Sequence, residues 1–142
     1  MGAQAQVTHI LDAGPLIAAL NGDDRHHRWA REQLSRLGPP FVSCPEAMAE
    51  AAAMTAQPIA IVEMIRAGEI VLDFDLAAQS ASVLALLKKY ADREMDLADA
   101  CIVRMTELVR DCRVITVDRG DFSVYRRNGR DLIPLIAPPA RR

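Results

Sequence analysis

The chain predicts an α/β domain built on a mostly parallel sheet of four to five strands with helices on both faces. Three observations point to it. Runs rich in β-branched and apolar residues recur at 7–12, 41–43, 70–74 and 113–118, the pattern of short buried strands. Helix-type segments fill every gap between them, and parallel strands need such crossovers whereas hairpins do not. A length of 142 residues suits one core, roughly two-thirds of the unfolded surface being buried at this size, so residues 1–142 are expected to form a single domain.

The first run, VTHILD, stops at Asp12, and AGPLIAAL follows with helical composition and Pro15 near its first turn, where a missing N–H costs little. Asp12 at this strand-to-helix turn has the position of an N-cap. Asn21-Gly22 closes the first helix, and Asp23 or Asp24 opens a second through Trp29 and Leu34 to Leu37, stopped by Gly38-Pro39-Pro40. His26 and His27 are adjacent, so on a helix they point about 100° apart and cannot share a metal face; they read as surface residues.

Phe41-Val42-Ser43 reads as the second strand. The following S-C-P-E has the capping-box arrangement, with Ser43 as N-cap and Glu46 three residues on, reaching back to the Ser43 N–H. Glu50 sits one turn deeper among Ala47, Ala49, Ala51 and Ala52 with no local partner, either on a wet helix face or in reach of the strand ends. After Gln57-Pro58, IAIVEMIRAG predicts a helix closing at Gly68, IVLDF a third strand, and Leu76 to Tyr90 a helix with Val83, Leu84, Leu86 and Leu87 on its apolar side.

In the segment 95–122, Ala98, Cys101, Ile102, Met105, Leu108 and Val109 recur at three- and four-residue steps, one face of a helix. Asp96 is placed as its N-cap, with Asp99 three residues on, where free N–H groups and the dipole favour acids. RVITVD then reads as the fourth strand, ending on Asp118. Arg127-Asn128-Gly129-Arg130 is a turn, and LIPLI (132–136) a short edge strand, because Pro134 cannot donate to a central ladder.

Composition narrows the function classes. An apolar share of 51% and a charged share of 25% are those of a globular protein. No run approaches the roughly 20 apolar residues that cross a bilayer, and MGAQAQVTH lacks a basic n-region with a signal-type core, so no membrane association and a cytoplasmic location are expected. Cys44, Cys101 and Cys112 are odd in number and form no C-x-x-C pair, which predicts reduced packing residues rather than zinc ligands or disulfides. The formal net charge of −2 excludes a polycation, although six arginines against two aspartates follow residue 118, either a solvated surface or a phosphate contact.

Acids at strand ends and helix starts are the candidate chemistry. If Asp12, Glu50, Asp99 and Asp118 converge, two carboxylates about 4 Å apart repel by about 4 kcal/mol at an effective dielectric near 20. A counter-charge is needed, and the two lysines, Lys88 and Lys89, lie inside a helix. A hard divalent cation, Mg²⁺ or Mn²⁺, suits carboxylate oxygens and can activate water against a phosphodiester, with one ion or a pair.

ILDAGPLIAAL, SCPEAMAEAAAM, DLADACIVRMTE and VITVDRGDFSVYR, in this order and with these gaps, resemble the four blocks of PIN-domain ribonucleases, in particular the VapC toxins of type II toxin–antitoxin pairs. The resemblance spans nearly the whole chain. It implies a PIN-like, Rossmann-like three-layer sandwich, with Asp12, Glu50 and Asp99 as core acids, Asp118 as a less constant fourth, and Thr116 as a small hydroxyl residue able to bond a metal-bound water. Asp96 and Asp121 stand as neighbouring or alternative ligands, and Glu46 replaces Glu50 if the helix register shifts. The implied activity is Mg²⁺- or Mn²⁺-dependent endonucleolytic cleavage of RNA, blocked by an antitoxin protein that covers the acidic site. A homodimer is implied too, using the Ala- and Met-rich surface from Ala47 to Met54.

Rival α/β readings fit less well. A phosphoacceptor receiver domain needs a lysine ending its last strand, and none follows Lys89; a D-x-D phosphatase fails because Ala13-Gly14 follows Asp12. The remaining alternative is a catalytically inert PIN-fold module that binds RNA or protein, which would bind Mn²⁺ poorly.

Overall fold

The run that ends at Asp12 forms the central strand, β1 (Thr8–Leu11), of a computed structural model that describes residues 6–140. The start of the MGAQAQVTH segment and the terminal Arg141 and Arg142 lie outside the described residues. From β1 the chain turns directly into α1 (Ala13–Leu20), then α2 (His27–Leu37), and returns as β2 (Phe41–Ser43). Helices α3 (Pro45–Thr55) and α4 (Pro58–Arg66) lead to β3 (Ile70–Leu72). Helix α5 (Leu76–Lys89), a single 3-10 turn (Ala91–Arg93) and α6 (Leu97–Leu108) then carry the chain to β4 (Cys112–Ile115). A one-turn helix α7 (Arg119–Phe122), a hairpin of β5 (Arg126–Arg127) with β6 (Asp131–Leu132), and β7 (Leu135–Ile136) complete it.

Five strands form one sheet in the order β3-β2-β1-β4-β7, every pairing parallel. Right-handed crossovers cover both faces of such a sheet with helices, giving a three-layer, Rossmann-like sandwich. The central strands are β1 and β4, whose Ile10, Leu11, Val114 and Ile115 are fully buried. No helix among the described residues is long and apolar enough to cross a membrane.

The C-terminal run divides in two. Leu132 pairs antiparallel with Arg126 in the hairpin, whose turn takes Asn128 and Gly129 at positive φ, while Leu135–Ile136 adds an edge strand to β4. Pro134 sits where it need not donate: its carbonyl accepts from the Val114 N–H at 2.9 Å.

Two local expectations are corrected. Ser43 is not a helix cap. It is the last residue of β2, buried, and its hydroxyl donates to the Leu11 carbonyl of β1 at 2.7 Å. Cys44 takes the N-cap position without a side-chain bond, and Glu46, released from a capping box, has a buried Oε1 with no hydrogen-bond partner among the described residues. Second, Ala47, Met48 and Ala51 of α3 face the core, so that helix does not offer a continuous Ala- and Met-rich surface. Met54 of α3 is exposed, as are Ile59 and Val62 of α4.

The cysteines pack. All three are buried within the main core cluster, which unites α1, α3, α6 and the sheet. His27 differs from a plain surface residue, because its Nδ1 lies 2.8 Å from the Ala18 carbonyl and joins α2 to α1. Of the C-terminal arginines, Arg127 spends Nη2 on the Val109 and Arg110 carbonyls, and Arg126 spends Nη1 on those of Ser123, Val124 and Tyr125. These are structural bonds.

Candidate functional site

The strand order changes direction at β1. The chain runs from β1 outward through β2 to β3, then returns to place β4 on the opposite side of β1. The crevice outside the carboxyl ends at such a switch point is where open α/β sheets take ligands. Register decides what lies there. Leu11 pairs with Ile115, so the next residues, Asp12 and Thr116, emerge side by side.

Thr116 Oγ1 donates to Asp12 Oδ2 at 2.8 Å and accepts from the Asp118 N–H at 3.0 Å. The other Asp12 oxygen accepts from the Ala13 N–H at 2.9 Å, capping α1. Glycine at position 14 lets this turn lie close to the chain beyond β4, since a Cβ there would come within 2.5 Å of Val117 Cγ2. Asp118 Oδ1 in turn accepts from the Asp121 N–H at 2.9 Å, heading α7.

The third contribution comes from the start of α6. Asp96 is its N-cap, accepting from the Asp99 N–H at 2.7 Å, and Asp99 stands one turn in. Oxygens of Asp99, Asp118 and Asp121 all lie within 4.8 Å of one another. Tyr125 OH donates to Asp99 Oδ2 at 3.0 Å, and Arg93 Nη2 pairs with Asp121 Oδ1 at 2.9 Å. The Tyr125 ring is buried edge-on against Tyr90 and Phe122, with centroids 5.0 and 5.2 Å away, so its hydroxyl is held in place.

The charges resist one another. Burial, together with the negative charges of Asp12 and Asp96, pushes the Asp99 carboxyl up to about 8. Burial pushes Asp12 up to about 6, against the opposing bonds from Thr116 and Ala13, with Glu50 and Asp96 adding repulsion. Glu50 is raised by burial and by Asp96. Asp118 is raised by burial, which outweighs the Asp121 backbone bond, and burial beside Asp99 raises the Tyr125 phenol so that it keeps its proton to donate.

Each acid singled out in the sequence thus has a defined place. Asp99 and Asp118 belong to the tight group, and Asp121, expected as a neighbour, belongs to it as well. Asp12 lies deeper, 6% exposed, joined to Asp118 through Thr116. Glu50 reaches the same edge from α3, where it interacts with both Asp12 and Asp96, but neither it nor Asp12 is within the three-carboxylate group. Asp96 caps α6 through Oδ1 and adds its negative charge to Asp12, Glu50 and Asp99. Thr116 gives its proton to Asp12 and so anchors that carboxylate at the edge of the site. Glu46 instead buries Oε1 without a hydrogen-bond partner among the described residues and adjoins the Cys101 thiol in the core.

Tyr125 and Arg93 were not foreseen. A tyrosine in a polar segment that becomes fully buried must find a hydrogen-bond partner, which is the one signal Tyr125 carries. Arg93 carries none, since its partner is 28 residues away.

A hard divalent cation fits this donor set. Three close carboxylates supply only oxygen, the preference of Mg²⁺ and Mn²⁺, and the burial and neighbouring acids that raise Asp99 are the charge strain a bound cation would relieve. Comparison with protein-family models and with curated proteins finds no match to this chain.

Proposed function

We propose that this protein is a Mg²⁺- or Mn²⁺-dependent endoribonuclease of the PIN-domain kind, a VapC-like toxin acting in the cytoplasm and held in check by an antitoxin protein. The carrying observation is the meeting of carboxylates from four distant parts of the chain at the switch point of a parallel sheet. They come from the end of β1, from α3, from the start of α6 and from the segment after β4. The four sequence blocks of the resemblance are the four segments that meet.

In this reading Asp99, Asp118 and Asp121 hold the cation, which when bound neutralises charge on a phosphodiester and makes water acidic enough to attack it. Tyr125 fixes the rotamer of Asp99. Thr116 fixes Asp12, whose carboxyl, raised to about 6, is poised to hold or release a proton beside the cation site. Glu50, only partly buried and with a raised proton affinity, is the acceptor for the proton that leaves the attacking water. The antitoxin would meet this acidic edge with a basic side chain. A homodimer would cover exposed Met54, Ile59 and Val62.

The test is cleavage mapping on total RNA with and without Mn²⁺. New ends at defined positions are expected with Mn²⁺, none with excess chelator, and none from Asp99→Asn; expression of the wild type, but not of that variant, should arrest growth. Undiminished cleavage by Asp99→Asn or in chelator would overturn the proposal. Poor Mn²⁺ binding with the RNA left intact would leave a binding module in its place.

A further inference from the structure

A second feature adjoins the acidic edge and has the opposite sign. A cleft of about 270 Å³ opens between the loop that precedes α2 and the segment after β4. Arg25, His26, Val117, Asp118, Arg119 and Pro138 are among its lining residues. Asp118 belongs to both sites, so the cleft begins where the carboxylate group ends.

Its cations are free to take a ligand. Arg25 is exposed and uses Nε to donate to His26 Nε2 at 3.0 Å. That bond directs the guanidinium while leaving both terminal nitrogens without a partner among the described residues. Arg119 donates through Nε to the Pro138 carbonyl and through Nη2 to the Ala137 carbonyl, both at 3.3 Å. The tail is thereby tied beside the cleft, and Nη1 has no partner among the described residues. Neither arginine forms an ion pair among the described residues. Arginines 126 and 127 also turn guanidinium nitrogens onto backbone carbonyls, but neither lines this cleft.

We infer that this cleft binds a phosphodiester of the RNA strand flanking the bond to be cut. The inference rests on the ribonuclease reading for the identity of the strand. An acidic edge on a chain of formal charge −2 repels a polyanion, so cations beside it must recruit and orient the substrate. Two guanidiniums facing one cleft match phosphate oxygens. The charge of Asp118, the acid in the lining, would be offset by a cation held in the carboxylate group. Continuity through Asp118 places a phosphate in the cleft on the same strand as one at the acids.

The experiment measures binding of a fluorescein-labelled, mixed-sequence 2′-O-methyl RNA dodecamer by anisotropy, in Mn²⁺, across a salt series. Arg25 lies in an exposed loop, so Arg25→Ala and Arg25→Glu should fold as wild type by circular dichroism. Arg66→Ala, in the last turn of α4 and outside the cleft, is the control. Arg25→Ala should weaken binding by about tenfold and lower the slope of log K against log salt by about 0.7, the value of one single-strand phosphate contact. Arg25→Glu should weaken it further, and Arg66→Ala should leave both quantities unchanged.

Equal binding by wild type and Arg25→Glu overturns the inference, as does failure of the wild type to bind the dodecamer. Displacement of the RNA by polyglutamate at matched charge also overturns it, by showing a cleft for acidic protein segments. Cleavage of unmodified RNA is scored separately. RNA bound through Arg25 yet never cut sinks the nuclease reading and keeps the cleft, whereas cleavage with a KM unchanged in Arg25→Glu does the reverse.

Discussion

Thr116 and Asp12, 104 residues apart in sequence, share a 2.8 Å hydrogen bond, and the same hydroxyl accepts the Asp118 N–H. One buried oxygen thus links the acid that ends β1 to the acid that follows β4. Thr116→Val keeps the shape and deletes both bonds, leaving the Asp118 N–H and one Asp12 oxygen short of partners. A loss of about 1–3 kcal/mol is expected from unsatisfied buried groups, read by urea unfolding, together with a fall in cleavage. Thr116→Ser should restore cleavage, because it keeps the hydroxyl. If Val and Ser variants cleave equally well, the link has no part in the chemistry.

Stability should fall as pH rises when no divalent ion is present. A carboxyl whose folded pKa lies above the unfolded value binds more protons in the native state between the two, so stability is fully present below the unfolded pKa and is lost through that window. For Asp12 the window runs from 3.8 to about 6, equivalent to about 3 kcal/mol as an upper figure. For Asp99 it extends from 3.8 to about 8. Thermal melts in chelator from pH 4 to 8 should decline, and Mn²⁺ should recover the loss mainly at the alkaline end. Asp99→Asn should flatten the upper part of the curve; a melt curve rising from pH 5 to 8 in chelator would contradict the raised values.

The strands, the parallel sheet and the α6 cap were legible because each rests on near neighbours: apolar runs, crossover lengths, and Asp96 three residues before the Asp99 N–H. Even the edge position of 135–136 followed from Pro134. Ser43 was misread for the opposite reason. S-x-x-E is a local pattern, and what competed with it was the Leu11 carbonyl 32 residues away, visible only once β1 and β2 pair. The site shows the same divide. That Asp12 directly follows a strand is local, whereas the fourth strand stops at Ile115, short of the expected end at Asp118, which caps α7 instead; the register that sets Asp12 beside Thr116, and the bonds of Tyr125 to Asp99 and Arg93 to Asp121, are products of packing.

The two glutamates of α3 should separate in experiment. Glu46 buries an unpartnered oxygen near Cys101, whereas Glu50 interacts with Asp12 and Asp96 at the site. Replacing a buried unsatisfied carboxylate by an apolar chain of similar length relieves a desolvation cost, so Glu46→Met is expected to melt no lower than wild type and to cleave within about twofold of it. Glu50→Gln, which cannot accept a proton, should fold normally and lose about 10²-fold or more in cleavage rate. The reverse pattern in a side-by-side rate measurement would transfer the second-acid role to Glu46.

Tyr125 provides the sharpest way to detect the cation without any activity assay. Its hydroxyl donates to Asp99 Oδ2 and so favours the charged carboxylate, opposing the burial that raises Asp99. Tyr125→Phe removes that bond but retains the ring between Tyr90 and Phe122. Asp99 then holds its proton more tightly, and an incoming cation must displace it at greater cost. Partners that orient metal ligands are typically worth about 10- to 100-fold in affinity, so calorimetric titration should show Mn²⁺ binding at least about tenfold weaker, with the deficit growing as pH falls from 8 to 6. An unchanged Mn²⁺ isotherm in a normally folded Tyr125→Phe protein would mean that Asp99 is not a ligand.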